Sequence, residues 1–113
     1  MLKTLRRLLD RAPRARPTYR GPEGQRIYAI GDIHGRSDLL ASLAAMIATD
    51  LDGAAGVEAL AVFLGDYVDR GPDSRSVLQR LVDRDFPTAF VALRGNHEAM
   101  LLDFLAERLE QLR

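Results

Sequence analysis

From Arg26 onward the chain repeats one unit three times: a short apolar run, a polar loop, and a stretch whose apolar residues recur at helical spacing. The runs are Ile27-Tyr28-Ala29-Ile30, Ala59-Leu60-Ala61-Val62-Phe63-Leu64 and Thr88-Ala89-Phe90-Val91-Ala92-Leu93. None alternates apolar with polar, which predicts strands buried on both faces, as in a parallel sheet. Leu39, Leu40, Leu43, Met46 and Ile47 form a helical stripe behind the cap candidate Ser37. Val77, Leu78, Leu81 and Val82 follow Ser74, and Leu101, Phe104, Leu105, Leu109 and Leu112 follow Asn96. The order β-α-β-α-β-α predicts an α/β fold with two right-handed crossovers and at least three parallel strands. The last stripe runs to Arg113 without a Gly or Pro stop signal. It therefore predicts a truncated domain whose final helix expects something further to pack against.

The first 25 residues are different. Over residues 1–26 eight basic groups face two acidic ones, a net charge of +6 that residues 27–113 cancel. Leu2, Leu5, Leu8 and Leu9 predict a short amphipathic helix over Met1–Asp10, ended by Pro13 and Pro17. Residues 1–25 thus read as a basic, partly flexible arm, and 26–113 as the folded domain. The whole chain has zero formal charge and 47% hydrophobic residues. That composition excludes global disorder and argues against nucleic acid as the main partner. No apolar run reaches the roughly 18 residues of a membrane span, and no signal-peptide core is present. The absence of Cys excludes disulfides and thiolate sites and fits a reducing, cytoplasmic setting.

Each apolar run ends in a polar cluster: Gly31-Asp32-Ile33-His34-Gly35-Arg36, Gly65-Asp66-Tyr67-Val68-Asp69-Arg70-Gly71, and Arg94-Gly95-Asn96-His97-Glu98. In a parallel sheet all three lie at the carboxyl edge, where open α/β folds bind ligands. The two His of the chain both fall in these clusters. Asp32 and His34, two apart on an extended segment, can turn to one side, and a carboxylate with an imidazole suits a divalent transition metal. Asp66 has two oxygens with which to bridge a pair of ions, the arrangement of two-metal phosphate ester cleavage. Asn96 offers a second ion a neutral oxygen, and Arg70 and Arg94 offer forked donors for phosphate. The glycines at 31, 35, 65, 71 and 95 allow sharp turns and close approach to ligands. Taken singly, each residue has a plainer reading: Asp32 and Asp66 as turn residues, Asn96 as a helix cap, Asp69-Arg70 as an ion pair. Neither G-x-x-x-x-G-K-[ST] nor G-x-G-x-x-G occurs after a strand.

In order and near-completeness, these three clusters resemble the successive signatures of the calcineurin-like metallophosphoesterases. They are most similar to the phosphoprotein-phosphatase branch and its bacterial serine/threonine phosphatase and diadenosine tetraphosphatase relatives. The resemblance covers roughly Arg26 to Glu98. It implies the first half of a pair of packed sheets flanked by helices. It also implies two divalent metal ions, with manganese, iron or zinc expected. Asp32 and His34 would hold the first, Asp66 would bridge, and Asn96 would hold the second. His97 would be the general acid, oriented by Asp69, with Arg70 and Arg94 on the phosphate and metal-activated water attacking phosphorus directly. The family's second metal also takes two histidines from later strands, and no His follows His97. The second site is therefore expected to be incomplete in this chain, needing a missing C-terminal half or a partner chain.

The expected function is metal-dependent hydrolysis of phosphate esters, with a phosphorylated protein or a nucleotide as substrate. Alternatives are a symmetrical dinucleoside polyphosphate hydrolase, a non-catalytic remnant that binds one metal or a phosphate anion, and an interaction module acting through the basic arm.

Overall fold

The computed structural model describes residues 15–113; the helix expected over Met1–Asp10 lies outside them. Strand β1 (Gln25–Ile30) leads to helix α1 (Ser37–Asp52), β2 (Glu58–Phe63) to α2 (Ser74–Val82), and β3 (Ala89–Ala92) to α3 (Asn96–Gln111). The strands form one parallel sheet in the order β1-β2-β3. Ile27 pairs with Leu60 and Ala29 with Val62, and on the other side of β2 Val62 pairs with Val91. The ladder continues beyond the strand ends: Leu64 N–H donates to the Ile30 carbonyl and Leu93 N–H to that of Phe63, both at 2.9 Å. All three strands therefore deliver their loops to the same edge.

One face of the sheet is closed. Ile30, Ala61, Phe63 and Phe90 point into a core shared with Leu40 and Ile47 of α1 and Val77 of α2. Phe63 is its centre, meeting Phe86, Phe90 and Tyr67 edge-on with ring centroids 5.1–6.3 Å apart. The start of β1 is pinned to the end of α1 by Asp50, which accepts from Tyr28 Oη at 2.5 Å and from Arg26 at 3.0 Å.

The other face is open, against the expectation of strands buried on both sides. Ile27 is 50% exposed and Val91 48%. The reason is topological: α1 and α2 pack on each other, so successive crossovers in the order β1-β2-β3 bring both helices to one side. Helix α3 covers little more. Leu101 reaches the core, while Met100, Phe104, Leu105, Leu109 and Leu112 stay exposed.

The helix starts fall one residue from where the cap candidates suggested. Ser37, Ser74 and Asn96 are the first helical residues, and Arg36, Asp73 and Gly95 hold the cap positions. Asp73 is a working cap, its carboxylate accepting from Ser76 N–H at 2.9 Å. Among the described residues no helix is long and apolar enough to cross a membrane.

Candidate metal centre

The three loops at the sheet's carboxyl edge are tied by backbone bonds before any side chain is considered. The Asp66 carbonyl accepts from both Ile33 N–H (3.0 Å) and His34 N–H (2.9 Å), and the Tyr67 carbonyl accepts from Gly35 N–H (2.8 Å). Such proximity leaves no room for a Cβ at Gly95, where one would stand 2.5 Å from Asp66 N. The same holds at Gly65, where a Cβ would stand 2.5 Å from Gly95 N and φ is +110°. These glycines serve loop-against-loop packing, whereas a Cβ at Gly31 would meet nothing within 4 Å. At Gly65 and Gly95 the close approach is therefore that of one loop to another.

Backbone strain collects here too. His34, Asp66, Asp69 and Arg70 all have positive φ (44°, 58°, 72° and 69°), and outside these loops only Arg84 joins them among the described non-glycine residues. Left-handed backbone at non-glycine residues persists where surrounding contacts hold it, and it concentrates at functional sites.

The side chains converge on a point between the loops. One ligand atom each from His34, Asp66 and His97 lies within 4.8 Å of the others, and all three residues are half-buried. The two imidazoles meet edge-on at 4.7 Å. His34 Nδ1 lies 2.8 Å from the Val68 carbonyl. A carbonyl can only accept, so Nδ1 carries the proton and the lone pair of Nε2 faces the site. Asp32, more exposed, stands 3.7 Å from that Nε2 through Oδ2. His97 Nδ1 is likewise engaged, at 2.8 Å from Asp69 Oδ2, while its backbone N–H donates to Asp66 Oδ1 at 3.1 Å.

Asn96 supplies a test of whether these residues fit a cation. Its terminal amide lies 3.1 Å from both oxygens of Asp66. With nitrogen turned inward the amide donates to the carboxylate. With oxygen inward, three oxygens converge beside the His34 and His97 nitrogens, a mixed N/O donor set suited to a divalent transition metal. The donor chemistry fits.

The ion-pair reading of Asp69-Arg70 does not hold: Asp69 pairs with His97. Arg70 and Arg94 are both exposed, and neither enters an ion pair among the described residues. Asn96 does not cap α3, because it is the first helical residue and Gly95 holds the cap; Glu98 turns back to accept from Gly95 N–H at 3.0 Å. Glu98 is the residue that motif reading left without a task. It is buried, and its carboxylate also accepts from Asp66, Tyr67 and Val68 N–H. A glutamate in the first turn of a helix signals only the bond to Gly95, not the other three. Tyr67, to which the motif assigns no role, donates its hydroxyl to the Leu93 carbonyl at 2.6 Å, joining the second and third loops.

A candidate metal centre on the loops of a parallel sheet is the arrangement expected of a metallophosphoesterase, and the chain belongs to the calcineurin-like phosphoesterase family, whose model matches residues 25–112. It is 38% identical over 79 residues to serine/threonine-protein phosphatase 2 of Escherichia coli, an alignment covering 68% of this chain and 31% of that protein. Serine/threonine-protein phosphatase 1 of Salmonella typhimurium is 36% identical over 77 residues, covering 68% and 32%. An uncharacterized protein of Caenorhabditis elegans is 34% identical over 82 residues, covering 66% and 32%. The chain thus spans about a third of the length of the curated relatives it matches.

Proposed function

We propose that the chain carries the first metal-binding half of a phosphoester hydrolase. The observation behind this is the convergence of His34, Asp66 and His97 within 4.8 Å, with Asn96 against Asp66. Two divalent cations, manganese, iron or zinc, would be held by Asp32 and His34, by Asp66 between them, and by Asn96. Once bound they supply Lewis acidity and lower the pKa of coordinated water. Asp69 holds the His97 ring by Nδ1, leaving Nε2 to hand a proton to the leaving oxygen. Arg70 and Arg94, both exposed at the loop edge, would fork onto phosphate oxygens.

The substrate class that the relatives' names favour is a phosphoserine or phosphothreonine protein, ahead of a dinucleoside polyphosphate. Reaction in the cytoplasm is part of the same proposal. So is completion of the second metal site by further polypeptide, either the remainder of the domain or a partner chain. The open sheet face with Ile27 and Val91 and the bare side of α3 support it, because both are apolar surfaces of the kind that packing covers. That the candidate ligand cluster among the described residues is the single group His34, Asp66 and His97 favours one second reading, a single-ion binder without turnover.

The test is a chimera in which this chain replaces the matching third of the Escherichia coli relative, assayed on p-nitrophenyl phosphate and a phosphopeptide with Mn²⁺. Hydrolysis that Asp66→Asn abolishes supports the proposal. A folded, Mn²⁺-loaded chimera with no turnover on either substrate would reject hydrolysis and favour the single-ion binder.

A further inference from the structure

We infer that Glu98 is a positioning residue for the metal ligands, an inference that rests on the metal-site reading above. Its carboxylate is buried and fully subscribed. One oxygen accepts from Asp66 N–H (2.6 Å) and Gly95 N–H (3.0 Å), the other from Tyr67 N–H (2.9 Å) and Val68 N–H (3.3 Å). The bond to Gly95 is what a glutamate in the first turn of a helix makes to its own cap. The other three reach about thirty residues back along the chain, and capping does not require them.

Those three bonds take up the N–H groups of consecutive residues in a turn that begins with left-handed Asp66. Such a turn leaves its amides pointing together and without ladder partners, so it needs an acceptor to stand. From Asp66 the linkage continues: its carbonyl holds the amides of Ile33 and His34, and its Oδ1 accepts from His97 N–H. Through Gly95 the same carboxylate fixes the turn into α3, whose first residues are Asn96 and His97. One buried anion at the start of α3 therefore sets the spacing of all three ligand-bearing loops, and the positive end of the helix dipole favours its charge.

The experiment is calorimetric titration of the chain with Mn²⁺ in wild type, Glu98→Gln, Glu98→Asp and Val77→Ala. Glutamine puts an NH₂ group where one oxygen accepts two N–H groups, and aspartate keeps both acceptors but falls one methylene short. Each should weaken Mn²⁺ affinity about 10–100-fold, the loss found when groups supporting metal ligands are removed. Amide hydrogen exchange should also speed up at Asp66, Tyr67 and Val68 in Glu98→Asp, which guards against the glutamine variant failing to fold. Val77→Ala hollows the core under α2 and should lower thermal stability while leaving Mn²⁺ affinity unchanged. Equal affinity in wild type and both Glu98 variants overturns the role of Glu98 alone. An equal loss in Val77→Ala also overturns it, in favour of general destabilisation. No Mn²⁺ binding by wild type overturns the metal reading and this role together.

Discussion

Gly95→Ala isolates the packing of the loops from everything else at the site. Gly95 has φ −85° and ψ 177°, backbone that alanine adopts freely, so no left-handed penalty enters. The added methyl would stand 2.5 Å from Asp66 N and 2.8 Å from Asp66 Cγ, closer still to Oδ1. Ordinary contact begins at 3.4 Å, so the Asp66 backbone nitrogen has to give way by about 0.9 Å and Oδ1 by more. The obstacle includes backbone, which no rotamer change removes. Overpacking of this kind costs about 1–3 kcal/mol, and in a domain of roughly 100 residues each kcal/mol lowers Tm by about 4–8 °C. Loss of the glycine cap adds a smaller term of its own. The displaced carboxylate is also the proposed bridge between cations, and a misplacement of ~1 Å costs about 100-fold in rate where geometry is productive. Melting followed by circular dichroism, with and without Mn²⁺, reads both effects. Gly31→Ala is the matched control, since its methyl would meet nothing within 4 Å and should shift stability by less than about 0.5 kcal/mol. If the two variants melt together and respond to Mn²⁺ alike, the close packing of loop on loop is not what the site depends on.

Tyr67→Phe removes the hydroxyl that donates to the Leu93 carbonyl. It should cost about 1–3 kcal/mol, seen in urea as a lower midpoint with unchanged slope. Acid should destabilise the fold through three exposed aspartates. Asp38 is held down to about 2 by hydrogen bonds from Arg36, Asp50 is lowered by Tyr28, and Asp73 by Ser76. Their contribution is complete above the ordinary carboxylate range and fades as pH falls below it, for Asp38 between about 3.8 and about 2. At the alkaline end burial pushes Tyr67 up to about 12 from 10.0. Its contribution is whole below pH 10 and is lost as pH rises toward 12; melting temperatures across both limits check the two windows. Mn²⁺ at one hundred times its Kd should stabilise the chain by about 2.7 kcal/mol, and EDTA should reverse the gain.

The strands and helices were legible because each apolar run and each stripe has the length and spacing of its element, and no tertiary contact overrides them. Helix starts were displaced by one because Ser37, Ser74 and Asn96 resemble caps, while the residues just before them take the cap geometry. Burial on both faces is not legible from the runs, since Ile27 and Val91 lie on an open face. An unbroken apolar run such as Ala59 to Leu64 marks a strand destined for covering, but it does not say which covering layer these residues themselves provide. The three loops were readable as metal-site candidates because His, Asp and Asn stand directly after strands. The work of Glu98 was not, since its bonds to Asp66, Tyr67 and Val68 span about thirty residues and exist only once β2 and β3 lie side by side. The chemistry proposed for Arg70 and Arg94 rests on residue type and position alone, because neither side chain forms an ion pair among the described residues.

Mn²⁺ is paramagnetic, so a substoichiometric addition to labelled protein reports directly on whether an ion sits among His34, Asp66, Asn96 and His97. The imidazole signals of His34 and His97 and the side-chain amide of Asn96 should broaden first and together, with Asp66→Asn removing the effect. Broadening that begins instead at exposed carboxylates such as Asp52 or Glu58, or that survives Asp66→Asn unchanged, would contradict a metal centre gathered from the three loops.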